Sequence, residues 1–212
     1  LSLTNKTESL PNNVISSGVN SVSQLNAIRK FTELNELKKT ILLTPDLNYK
    51  TEIKRAIEKS KLKISKHYIY NTEPTKLTQQ IEEITNYKIR KQNLADEIKR
   101  GELSDIDEEI KKRKIEKLNR KYTIGKVNFD SLIISDFDES LKSVITSFLY
   151  TDVSPEDKYF ITLNQWFDES LLYEKNIQPL YYPSINKKNL ESFENKFSEF
   201  YNEKPNHLSL LS

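Results

Sequence analysis

Residues 40–60 read TILLTPDLNYKTEIKRAIEKS, and the order of the three parts decides the fold. Ile41, Leu42 and Leu43 form a short continuous apolar run, the mark of a strand covered on both faces of a parallel sheet. Pro45, Asp46 and Asn48 are turn formers. From about Tyr49 to Ser60, Ile53, Ala56 and Ile57 recur at helical spacing. In many α/β proteins such a strand-to-helix turn cradles a phosphate on glycine amides. Here it holds Pro45, Asp46, Asn48 and Tyr49 and no glycine.

The same rhythm continues on both sides. Upstream, Ser21 and Gln24 make a capping-box pattern, and Val22, Leu25, Ile28, Phe31 and Leu34 line one flank of a helix. Downstream, Ile64 to Tyr70 alternates as a strand, and Phe129 to Ile134 (FDSLII) reads as a buried one. Leu141, Val144, Ile145, Phe148 and Leu149 follow at i, i+3, i+4, i+7, i+8. Tyr159 to Leu163 and Pro179 to Tyr182 read as strands, and Leu190, Phe193, Phe197 and Phe200 mark a last helix. Strands alternating with helices predict a parallel α/β sheet.

One segment breaks the alternation. From Thr75 to Tyr122 the pattern is helical and heavily charged. One apolar stripe (Leu77, Ile81, Ile84, Leu94, Ile98) precedes a second (Ile106, Ile110, Ile115, Leu118, Tyr122). Gly101 suits the end of the first helix, and Ser104 with Asp107 the start of the next. The expectation is an antiparallel hairpin inserted between two strands. Its acids and bases interleave, which suits a solvated, salt-bridged surface rather than a nucleic-acid or membrane contact.

Composition narrows the function classes. The chain has 212 residues, 36% hydrophobic, with 30% charged and a net charge of +2, so no basic excess points to nucleic acid. No apolar run is long enough to span a membrane. Cysteine is absent, which excludes disulfides, thiolate zinc sites and cysteine catalysis. With three glycines in all, glycine-rich phosphate loops are excluded too. His67 and His207 stand far apart, and His67 reads as a strand residue with a satisfied ring. No catalytic, metal or cofactor set is identified. Both ends read as cut from a longer protein, since Leu1 to Thr4 starts as if at a strand end and Asn206 to Ser212 stops in an apolar stretch.

The turns after strand carboxyl ends form the ligand-facing edge of a parallel sheet. Three are legible: Thr44 to Tyr49, Ser135 to Glu139 and Asn164 to Glu169. They bring Asp46, Asp136, Asp138 and Asp168 near Tyr49, Phe137 and Trp166. Such an edge repels phosphate and accepts an ammonium group or a basic partner. The competing reading is that the acids cap helices and the aromatics cover the sheet end.

Taken together, SLTN at Ser2, ISSGVNSVSQLNAIRKF at Ile15, ILLTPDLNY at Ile41, FDSLIISDFDESLKSV at Phe129, LNQWFDESLL at Leu163 and FENKFSEFYNEKP at Phe193 resemble, in order, a type I periplasmic-binding-protein fold. More narrowly the chain resembles the Leu/Ile/Val-binding-protein-like domain of bacterial penicillin-binding protein activators, a match that the charged insertion supports. The resemblance implies a Rossmann-like α/β lobe with a parallel sheet, plus part of a second lobe across a cleft. Residues 1–11 would end the first lobe, 12–178 form the second (with 75–122 inserted), and 179–212 cross back. It implies that Thr4 and Asn5 meet a ligand carboxylate and that Tyr49 covers the ligand. Ser135, Asp136, Asn164 and Trp166 would close the cleft.

Lys50 stands where relatives carry glycine, poorly placed against the helix dipole, and Phe137 and acids stand where small residues are common. These departures fit a relative that kept the fold and lost or changed its ligand. The implied function is a non-enzymatic periplasmic module that regulates peptidoglycan synthesis by contact with a peptidoglycan synthase, anchored by an N-terminal lipid at the outer membrane. The alternative is a receptor for an amino acid or small cationic metabolite in ABC-type uptake.

Overall fold

The computed structural model describes residues 20–163, 170–184 and 187–205. Its centre is a five-stranded, all-parallel sheet in the order β2-β1-β3-β4-β5, built from β1 (Thr40–Pro45), β2 (Lys66–Tyr70), β3 (Ser131–Ile134), β4 (Tyr159–Thr162) and β5 (Leu180–Tyr181). Every residue of β1 and β3 is buried, as the continuous apolar runs predict. The central register pairs Thr40 with Ser131 and Leu43 with Ile134.

Two helical layers cover the sheet. On one face, Leu42, Ile133 and Ile161 meet Leu25 and Ile28 of α1 (Ser21–Leu34) and Ile53 and Ala56 of α2 (Lys50–Ser60). On the other, Leu43, Ile134 and Phe160 meet Leu77 and Ile81 of α3 (Pro74–Ile84). That face also receives Leu141, Val144, Ile145 and Phe148 of α6 (Asp138–Tyr150), all fully buried. Successive strand residues point to opposite faces, so β1, β3, β4 and β5 each feed both cores, while the edge strand β2 adds Tyr68 and Tyr70 to one. The strands start slightly later than their apolar runs suggest, at Lys66 rather than Ile64 and at Ser131 rather than Phe129.

The insertion departs from the expected two-helix hairpin. Between β2 and β3 lie three helices: α3, α4 (Tyr87–Glu102) and α5 (Glu108–Asn119). The first stripe breaks at Thr85, whose hydroxyl donates back to the Ile81 carbonyl at 2.8 Å, and at Asn86, which turns left-handed at φ 52°. Thus α3 returns to the sheet beside α6, and only α4 and α5 pair as a hairpin. Gly101 lies inside α4 rather than past its end. Asp107, not Ser104, caps α5, accepting from the Glu109 and Ile110 amides at 2.9 and 3.4 Å. Likewise Asn20 caps α1 through the Ser23 amide at 2.9 Å, and Ser21 donates instead to Glu52.

Arg90 mounts the hairpin on the core. Its side chain is buried, and its fork donates to the carbonyls of Gly125 (3.2 Å), Thr151 (2.9 Å) and Asp152 (3.0 Å). Two of these acceptors end α6, where a cation complements the helix dipole. Gly125, at φ +120°, takes a conformation that favours glycine. After β4 come α7 (Ser170–Tyr173), a short 3-10 turn (Lys175–Ile177) and β5. Then α8 (Lys187–Tyr201) carries a ladder of Phe193, Phe197 and Tyr201 with ring centroids 5.8 and 4.6 Å apart. Among the described residues no helix is long and apolar enough to cross a membrane.

Candidate ligand-binding crevice

The helix after β1, α2, packs on one face of the sheet, and the helix after β3, α6, on the other. The carboxyl ends of β1 and β3 therefore flank the point where the winding reverses, which is where open parallel sheets leave a crevice. Tyr49 enters it from the β1–α2 turn. Ser135, Asp136 and Phe137 enter it from the β3–α6 turn, and Tyr70 closes it from the end of β2.

Asp136 is the centre of this arrangement. It is only 4% exposed, and a carboxylate so buried needs donors. Oδ2 accepts from the Tyr70 hydroxyl. Oδ1 accepts from the Phe137 amide at 2.9 Å and from the Tyr49 hydroxyl at 3.3 Å. The Tyr49 hydroxyl is shared with the Ser135 carbonyl, also at 3.3 Å. Burial first, and then the Asp136 carboxylate, push both phenols well above their ordinary range. Both therefore stay protonated donors at neutral pH.

The neighbouring hydroxyls stitch the strand ends together. Ser135, 1% exposed, donates to the Leu43 carbonyl at 3.0 Å and to Thr44 Oγ1 at 2.9 Å. Thr44 Oγ1 lies 2.9 Å from His67 Nε2, so the imidazole is a strand residue with a hydrogen-bond partner. Burial, and then the Lys54 charge, lower its pKa. Thr162 Oγ1 donates to the Ile134 carbonyl at 3.2 Å.

The outer lip is aromatic and apolar. Phe137 is 39% exposed and Leu47 43%, and the Phe137 and Tyr49 ring centroids lie 6.4 Å apart. Asp138, the first residue of α6, turns left-handed at φ 48°, a conformation that aspartate tolerates better than most residues. Asp46 sits outside this group on the exposed turn, where it pairs with Lys50. That pair answers the expected clash of Lys50 with the α2 dipole, because a carboxylate four residues earlier neutralises the ammonium.

The structure thus brings Tyr49, Ser135, Asp136 and Phe137 together and leaves Asp46 on the rim. Thr4, Asn5, Asn164, Trp166 and Asp168 lie outside the described residues. Tyr70 was missed by the sequence reading. The signal was available, since β2 is parallel to β1 and must end on the same edge, but the partner lies 66 residues away. Chemically the crevice offers an aromatic lip and a buried acceptor. Among the described residues no group of three His, Asp or Glu is placed to hold a metal.

No protein-family model matches the sequence, and no curated protein is similar to it. Solved structures are. A branched-chain amino acid ABC transporter periplasmic ligand-binding protein from Burkholderia xenovorans LB400 aligns over 90% of this chain and 43% of its own, with TM-score 0.52 and 9% identity. An extracellular ligand-binding receptor from Verminephrobacter eiseniae aligns over 92% and 48%, with TM-score 0.50 and 11% identity. One from Desulfohalobium retbaense DSM5692 aligns over 97% and 30%, with TM-score 0.51 and 11% identity. The chain spans less than half the length of each of these structures. At such identities the likeness is one of fold. The five-stranded parallel sheet with its two helical layers has the architecture of a lobe of a type I periplasmic binding protein.

Proposed function

We propose that the chain is part of a two-lobed solute-binding receptor that takes a small ligand bearing an ammonium group, an amino acid or a cationic metabolite. One observation carries this reading: the crevice between β1 and β3 sets an aromatic lip, the half-buried Tyr49 and the exposed Phe137, beside the Asp136 carboxylate. The likeness in fold to proteins described as ligand-binding receptors supports it. In this reading Thr4, Asn5, Asn164 and Trp166, outside the described residues, are the further candidates for ligand contact. The Phe193–Phe197–Tyr201 ladder of α8 belongs to the return toward that lobe. The protein works in the periplasm by binding and closure, with no catalysed reaction.

Thermal-shift screening of the complete protein against amino acids and polyamines tests the reading. A ligand present at 100 times its Kd stabilises by about 2.7 kcal/mol. A flat screen rejects the receptor.

A second reading is regulation of a peptidoglycan synthase by protein contact, from the outer membrane. Its support is that the Asp136 carboxylate already accepts from Tyr49, Tyr70 and its neighbour's amide, as in a cleft satisfied without ligand. A synthase whose transglycosylation and transpeptidation rates are unmoved by the full-length protein rules this out.

A further inference from the structure

The free end of the α4–α5 hairpin lies away from the sheet and is locally unfavourable as it stands. Leu103 is 77% exposed, Ile106 41% and Ile110 59%, three branched aliphatics within eight residues. Residues 102–109 hold five acids (Glu102, Asp105, Asp107, Glu108, Glu109) and no base. Some of these acids serve the hairpin itself. Asp107 caps α5, and Glu108 and Glu109 pair with Lys111 and Arg113 at 3.5 and 3.0 Å. The side chains of Glu102 and Asp105 have no hydrogen bond or ion pair among the described residues, and they flank Leu103 and Ile106 in the sequence. Glu102 also sits in the last turn of α4, where a negative charge opposes the helix dipole.

The turn is nonetheless well made. Ser104 Oγ donates to the Gly101 carbonyl at 2.6 Å, and the Asp107 cap fixes the next helix. A tip so ordered presents its apolar residues with little conformational entropy left to lose on binding. Local choices that cost the free molecule stability and serve no internal contact are the ones a binding surface explains.

We propose that this tip is a docking surface for another protein, one that offers an apolar groove rimmed by lysine and arginine. The aliphatic trio would fill the groove, and Glu102 and Asp105 would meet the basic rim. Glu102 and Asp105, the two tip acids whose side chains are unengaged among the described residues, favour a basic rim over an anionic membrane or nucleic acid. The inference is independent of what the crevice binds.

The test places a photo-crosslinking residue in the full-length protein in its native cells, Leu103→p-benzoylphenylalanine, with the joined peptide identified by mass spectrometry. The expected product is one partner protein, joined at an apolar site flanked by lysine or arginine. Adding Glu102→Lys and Asp105→Lys should cut the yield at least tenfold without lowering the melting temperature, since a cation in the last turn of α4 suits the helix dipole. The milder Glu102→Gln with Asp105→Asn should give an intermediate loss. Yield unchanged by charge reversal would overturn the proposal, as would cross-links to lipid, to a second copy or to nothing.

Discussion

Replacing Arg90 by alanine should cost about 5 kcal/mol of stability, a loss that follows from counting acceptors. The guanidinium is 7% exposed and makes three hydrogen bonds to carbonyls, at 2.9, 3.0 and 3.2 Å. Leaving a buried acceptor without its donor costs roughly 1–3 kcal/mol. The acceptors do not share that loss equally. The Thr151 carbonyl is bonded in fully buried surroundings and should approach the upper figure. The Asp152 and Gly125 carbonyls belong to part-buried bonds, and water can reach them, so they sit near the lower one. Arg90→Lys keeps the charge but offers a compact ammonium rather than a fork, so it should recover only about 1 kcal/mol. Urea denaturation followed by circular dichroism measures both variants. Hydrogen exchange should show α4 and residues 123–127 opening before the sheet in Arg90→Ala. A loss below about 1 kcal/mol, or unchanged exchange in α4, would refute the account of how the hairpin is mounted.

Other outcomes follow from the same contacts. Tyr70→Phe removes a buried donor from Asp136 and should cost about 1–3 kcal/mol, whereas Tyr49→Phe, whose bonds are longer and shared, should cost under about 1 kcal/mol. Denaturant midpoints of the two variants decide the order. Gly101→Ala should be neutral or stabilise by up to about 1 kcal/mol, because a helical glycine is replaced and the new Cβ would meet Ile115 at 3.6 Å, an ordinary contact. A destabilised alanine variant would mean that α4 and α5 approach more closely there. The folded state lowers the pKa of His67, so the unfolded chain takes up its proton first as pH falls. The neutral imidazole's contribution is complete above about pH 6.5 and is lost as pH falls below that. His67→Gln should flatten that part of the stability–pH curve, and an unchanged curve would assign the slope to other groups.

The sheet was legible in the sequence because its central strands carry short continuous apolar runs and are separated by helical periods. ILL at 41–43 and LII at 132–134 are buried in full, and the α6 face is buried at Leu141, Val144, Ile145 and Phe148 as the spacing marked. Local chemistry was less legible. Thr85 and Asn86 end a helix by a back-bonded hydroxyl and a left-handed residue, and neither carries a signal as strong as proline or glycine. Ser104 and Asp107 both looked like caps, and only the geometry of the turn selects the aspartate. The crevice was half legible. Parallel topology places Tyr49, Ser135, Asp136 and Phe137 on one edge. That Asp136 would be buried under Tyr70, and that Arg90 would reach the end of α6, are contacts across 66 and 61 residues that no local pattern encodes.

Calorimetric titration of the complete protein with the amino acid or amine found by screening tests the central claim most directly. The measurement is made on the wild type, Phe137→Ala and Asp136→Asn, with each variant's fold checked by its melting curve. The account requires saturable binding to the wild type, weakened at least tenfold in both folded variants. Binding that is absent in the wild type, or equally tight in the folded variants, would contradict a ligand site at the β1–β3 crevice.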